Sequence, residues 1–97
     1  MEQLELIHPG EILREEFALP LGLSAHGLAR AMRVPVTRIN DILHGKRAIT
    51  ADTALRLARY FGTSVEMWMQ LQMDYEVRVA RRLKGAEIEA DVRPRAA

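Results

Sequence analysis

The chain has 97 residues, of which 48% are hydrophobic, with no cysteine and a formal net charge of +1. That length sets one small domain, the apolar content excludes wholesale disorder, and the missing thiol excludes disulfides and thiolate metal sites and fits a cytoplasmic location. The opening MEQLELIHPG lacks a basic stretch followed by an apolar core, and no apolar run is long enough for a bilayer span, so neither a leader nor a membrane anchor is expected.

The first segment is acidic. Residues 1–23 carry Glu2, Glu5, Glu11, Glu15 and Glu16 against Arg14 alone, a net −4. Such a face suits either a basic partner or plain solvation. A first helix is expected from near Pro9 to Ala18: Pro9 suits the first turn, Glu11 suits the positive end, and Ile12, Leu13 and Phe17 share a face. The run Leu19-Pro20-Leu21-Gly22 ends it. Ser24 is placed to cap a second helix whose buried stripe is Leu28, Ala29 and Met32. Arg33 and Val34 form a tight turn, and Pro35 stands where a third helix begins.

The third helix runs to about His44, with Gly45 as its left-handed stop. At about 100° per residue, Ile39, Ile42 and Leu43 fall together and face the core. The opposite side carries Thr37, Asp41 and His44, flanked by Arg38 and Asn40. Two short helices joined this way form a helix-turn-helix, whose second helix can enter the major groove of DNA. On it, Arg38 can make two parallel bonds to guanine, and Asn40 can do the same with adenine. Thr37 offers a hydroxyl or a methyl. Asp41 can accept from cytosine, or hold Arg38 three residues back. Lys46 and Arg47, just past the stop, are the candidates for phosphate contact, followed by Ser24 and the first amides of the second helix. Residues 24–63 carry a net +5, as a phosphate-facing surface requires. The competing reading is a solvated polar face.

Thr50 caps a fourth helix that turns Ala54, Leu57, Ala58 and Phe61 inward and stops at Gly62. Thr63 and Glu66 have capping-box spacing and open a fifth helix, expected to reach about Leu83. It carries two apolar stripes: Trp68, Leu71, Tyr75 and Val79, and beside them Val65, Met69, Met73 and Val77. So wide an arc suits a core on one side and a second subunit on the other, and the dimer contacts are assigned to Trp68, Leu71, Tyr75 and Val79. The alternative is that both stripes cover one core. A homodimer would set two recognition helices about 34 Å apart, one turn of duplex. Residues 1–83 then form the DNA-binding and dimerisation domain, and residues 84–97 a flexible tail.

No strand-like alternation of useful length is present, so the fold is all-α. The three histidines, His8, His26 and His44, lack partners at metal-ligand spacing. No nucleophile–base set or phosphate-binding glycine loop is visible. No enzyme activity, metal, cofactor or small-molecule ligand is expected.

Leu28-Ala29, the Ile39-to-Leu43 spacing and the Gly45 stop resemble the Cro/repressor (XRE) class of helix-turn-helix domains. Over about residues 6–83, LIHPGEIL, RINDILHGKRAITADTALRLARYFGTS and EMWMQLQMDYE, in that order, resemble the HigA-type antitoxins of bacterial toxin–antitoxin modules. The resemblance implies a five-helix Cro/repressor-like domain with a long C-terminal helix, dimeric and bound to operator DNA at the nucleoid, repressing its own operon. It also implies a partner toxin of the HigB kind, an mRNA endonuclease held inactive in the complex. Thr37, Arg38 and Asp41 correspond to base-contacting positions of the class, and Lys46 and Arg47 to backbone-contacting ones. Val36 departs from it: many repressors carry a polar base reader there, and valine can offer only an apolar contact, such as to a thymine methyl. The DNA-binding unit alone does not separate an antitoxin from a stand-alone XRE-class regulator.

Overall fold

Most of the helices begin where a side chain supplies an acceptor for otherwise unpaired first-turn amides, and three of them end at or beside a left-handed residue. The computed structural model describes residues 6–96, so Glu2 and Glu5 and the reading of the extreme N-terminus lie outside it. Five helical elements follow in order, with no strand among the described residues. Helix α1 is Pro9–Ile12 and runs on as a π-helical segment, Leu13–Ala18. His8 caps it, its Nδ1 accepting from the Gly10 amide at 2.8 Å. Helix α2, Ala25–Met32, is capped by Ser24, whose Oγ accepts from the Gly27 amide at 3.0 Å. It ends on Arg33, which takes a left-handed φ of 60°, at a cost of about 1–2 kcal/mol for a residue with a Cβ. Helix α3 is Val36–Leu43, starting after Pro35 and closed by Gly45 at φ 73°. Helix α4 is Ala51–Phe61, between the Thr50 cap and Gly62. Helix α5 is Val65–Asp91.

Two expectations change at α5. Its cap is Ser64, whose Oγ accepts from the Met67 amide at 3.0 Å. Thr63 is engaged elsewhere, its Oγ1 accepting from Trp68 Nε1 at 2.7 Å. The helix also passes the expected end near Leu83 and continues through Asp91, so the boundary drawn between residues 83 and 84 falls inside one helix. Loss of amphipathic pattern is not loss of helix: Lys84, Ala86, Glu87, Glu89 and Ala90 are helix-tolerant or helix-favouring residues, and they extend a helix already nucleated.

Leu13, Leu28, Ile39, Ile42, Ile49, Leu57 and Trp68 are enclosed at the centre, each contributing roughly 1.5–3 kcal/mol by leaving water. Phe17 brings α1 onto this core, its ring 4.9 Å from Phe61 and 5.0 Å from Trp68. Helix α1 is also fastened to the end of α3. A Cβ on Gly10 would land on the carbonyl of Ile42, so only glycine allows the two backbones to meet. Arg14 Nη1 donates to the Leu43 carbonyl at 2.9 Å, serving an acceptor the helix end leaves open. The His8 ring lies against Gly45 and edge-on to Tyr75 of α5, 4.8 Å between centroids. Beyond Gln72, α5 has no buried residue.

Candidate nucleic-acid interface

The inward anchors of α3 are Ile39 and Ile42, both fully buried, with half-buried Leu43 packed against the core. Their burial fixes the rotation of the helix and turns Thr37 and Asn40 to solvent, with Arg38 and Asp41 half-exposed between. Val36 is half-buried and leans on the core, leaving it little side chain to present outward. His44 is exposed, its ring Nδ1 2.8 Å from the Asn40 carbonyl.

The charged residues are paired differently from the sequence expectation. Asp41 does not hold Arg38; it takes Arg47, at 3.3 Å. Arg38 reaches instead to Asp52 on α4, Nη1 to Oδ2 at 2.7 Å. The same carboxylate oxygen accepts from Arg56 Nε at 2.9 Å. Hydrogen bonds from Arg56, then Arg38, hold the Asp52 carboxyl below its ordinary range. Arg56 also donates to the Met32 carbonyl at 2.9 Å, at the open end of α2. A spacing of fourteen residues hides the Arg38–Asp52 pair from any count of helix neighbours.

The exposed loop after α3 carries Lys46 and Arg47. It is fixed at both ends: the Lys46 amide donates to the Asp41 carbonyl at 2.7 Å, and the Ile49 amide donates to Oε1 of Gln72 at 2.8 Å. Gln72 is 5% exposed, and its Nε2 donates to Glu76. A buried amide on α5 thus sets the loop that carries the two cations. Asp52, Arg56, Arg14 and Gln72 were not among the sequence candidates; each acts across the fold, where periodicity gives no signal. Ser24 stands apart at the start of α2, exposed but with its oxygen already accepting from Gly27.

The residues assigned to dimer contact divide. Trp68 is 0% exposed, which corrects its assignment: it has no surface to give a second subunit. Leu71 packs against the core, Tyr75 lies on His8, and Val79 is half-buried. The apolar groove on α5 lies further along, lined by Val77, Ala80, Arg81, Gly85, Ala86, Ile88 and Glu89. Among the described residues no group of three or more His, Cys, Asp or Glu is arranged to hold a metal ion, and no helix is long and apolar enough to cross a membrane.

A protruding polar helix propped on a second helix across a tight turn is a helix-turn-helix, and the family model of that description matches residues 13–68, more than half of the chain. The chain belongs to the helix-turn-helix family, in its Cro/repressor (XRE) class. Within that class its solved neighbours include antitoxins. Antitoxin HigA of Pseudomonas aeruginosa, solved with the higBA promoter, is 44% identical with a TM-score of 0.91, covering 95% of this chain and 100% of that one. Antitoxin GraA in complex with its operator is 41% identical with a TM-score of 0.91, over 100% of this chain and 98% of that one. Among curated relatives, virulence-associated protein I of Dichelobacter nodosus is 52% identical over 82 residues, 84% of this chain and 76% of that protein.

Proposed function

We propose that the chain is a sequence-specific double-stranded DNA-binding antitoxin that acts as a homodimer, represses its own operon and neutralises a HigB-like mRNA endonuclease. One observation carries the DNA-binding part: Thr37, Arg38, Asn40 and Asp41 share the outward side of α3, with Lys46 and Arg47 at its end, in a fold shared with antitoxins solved on operator or promoter DNA. Arg38 reads guanine, Asn40 adenine, and Asp41 cytosine. Thr37, and the small part of Val36 left uncovered by the core, contact the neighbouring base edges. Lys46, Arg47 and the capped start of α2 at Ser24 hold phosphates and set the register.

The second subunit covers the far part of α5, where Met73, Val77 and Ile88 are exposed, with Tyr75 and Val79 at the edge of the contact and Leu71 behind them. Glu11, Glu15 and Glu16 are exposed on α1, a face suited to a basic ribonuclease. Such a protein works in the cytoplasm, at the nucleoid.

The test uses a duplex from the DNA preceding the gene and a scrambled duplex of equal length. The wild type favours the first; equal binding of both would remove sequence specificity. Lys46→Ala should weaken both alike and make the salt dependence shallower by about one unit. Co-expression with the neighbouring gene completes it. Rescue of growth and co-purification support the antitoxin reading, and absence of both leaves a regulator without a toxin.

A further inference from the structure

The guanidinium best placed to read a base is already held by another element. Arg38 Nη1 donates to Asp52 Oδ2 at 2.7 Å, and that oxygen also accepts from Arg56 Nε at 2.9 Å. Arg56 Nη1 in turn donates to the carbonyls of Met32 at 2.9 Å and Arg33 at 3.4 Å. One carboxylate oxygen therefore links the recognition helix, the first turn of α4 and the end of α2. A guanidinium carries five N–H donors in a planar fork. With Nη1 engaged, the edge formed by Nε and Nη2 has no partner among the described residues. That edge is the one able to make two parallel bonds to a guanine.

We propose that Asp52 is a positioning residue for base recognition: it acts through Arg38, presenting the Nε–Nη2 edge outward and keeping that cation off the phosphates. This rests on the DNA-binding reading above. A free arginine would lose side-chain entropy on meeting a base and would be drawn equally well to any nearby phosphate. A tethered one has lost much of that freedom before DNA arrives, and its charge is partly answered. Asp52 therefore raises discrimination while lowering affinity for arbitrary sequence. Its side chain is 55% exposed, so Asp52→Asn leaves the core intact.

The experiment is a double-mutant cycle between Asp52→Asn and Arg38→Ala. The probes are a duplex enriched by the wild type from a randomised library and a scrambled duplex of equal length. In the wild-type background, Asp52→Asn should lower the ratio of the two affinities about tenfold. It does so chiefly by tightening scrambled DNA, with a salt dependence steeper by about one unit. In the Arg38→Ala background the same substitution should leave the ratio unchanged. An unchanged ratio in the wild-type background, or an equal loss in both backgrounds, would overturn the role of Asp52. Failure of the wild type to enrich any duplex would instead overturn the DNA-binding reading on which it rests.

Discussion

The two ends of α5 are one helix in two environments. Near its start, Trp68 is fully enclosed and Gln72 is 5% exposed, its amide serving the backbone of the loop after α3. Toward its end, Val77 is 40% exposed, Ile88 50% and Leu83 74%. The first part is held by tertiary contact. The second continues because its residues favour helix and because extending a helix avoids the cost of starting one. The comparison shows that helical state and burial are separate facts. A protein can extend a rigid rod well past its own core, and such a rod offers apolar side chains that the monomer does not cover.

Three variants probe that contrast and the α1 cap that leans on α5. The largest effect belongs to Trp68. Trp68→Ala should lower stability by about 3–5 kcal/mol in chemical denaturation, and a loss below about 1 kcal/mol would mean that the core does not rest on the start of α5. Next, Val77→Asp combined with Ile88→Asp should raise the dissociation constant of the proposed dimer at least about tenfold by sedimentation, with helicity unchanged. Intact association would place the second copy elsewhere.

The smallest effect is at His8. Its Nδ1 must be unprotonated to accept from Gly10, and burial pushes its pKa below the ordinary 6.5. As pH falls, the unfolded chain takes up this proton before the folded one. The contribution of His8 is therefore whole above about pH 6.5 and is lost as pH falls from there through the lowered folded value. Asparagine keeps an acceptor and does not titrate. The stability difference between wild type and His8→Asn should be level above that point and decline below it; a difference flat down to pH 5 would remove His8 as the cause.

Much of this fold was legible because its punctuation is local. Ser24, Thr50, Gly45 and Gly62 each act within a few residues of where they stand, and the spacing of Ile39, Ile42 and Leu43 fixes which side of α3 is free. The neighbouring Thr63 and Ser64 both had the chemistry to cap α5, and only the position of Trp68 decides between them. The end of α5 is not marked in the sequence by periodicity, because the amphipathic pattern fades near Leu83 while helix propensity persists to Asp91. Arg38 is half-exposed on α3, but its partner Asp52 lies on another helix, whereas the i, i+3 spacing points to Asp41. Gly10 and Gln72 serve backbone groups distant in sequence, and nothing in their own neighbourhoods marks them for it.

The joint between the first and third helices has a mechanical meaning. A glycine pressed against one carbonyl, an arginine hooked on the next and an imidazole resting on the stop residue leave little slack. Any agent that tilts the leading helix drags the tip of the reading helix with it. Leverage on the first ten or so described residues would thus arrive, without an intermediary, at the cations just past that tip.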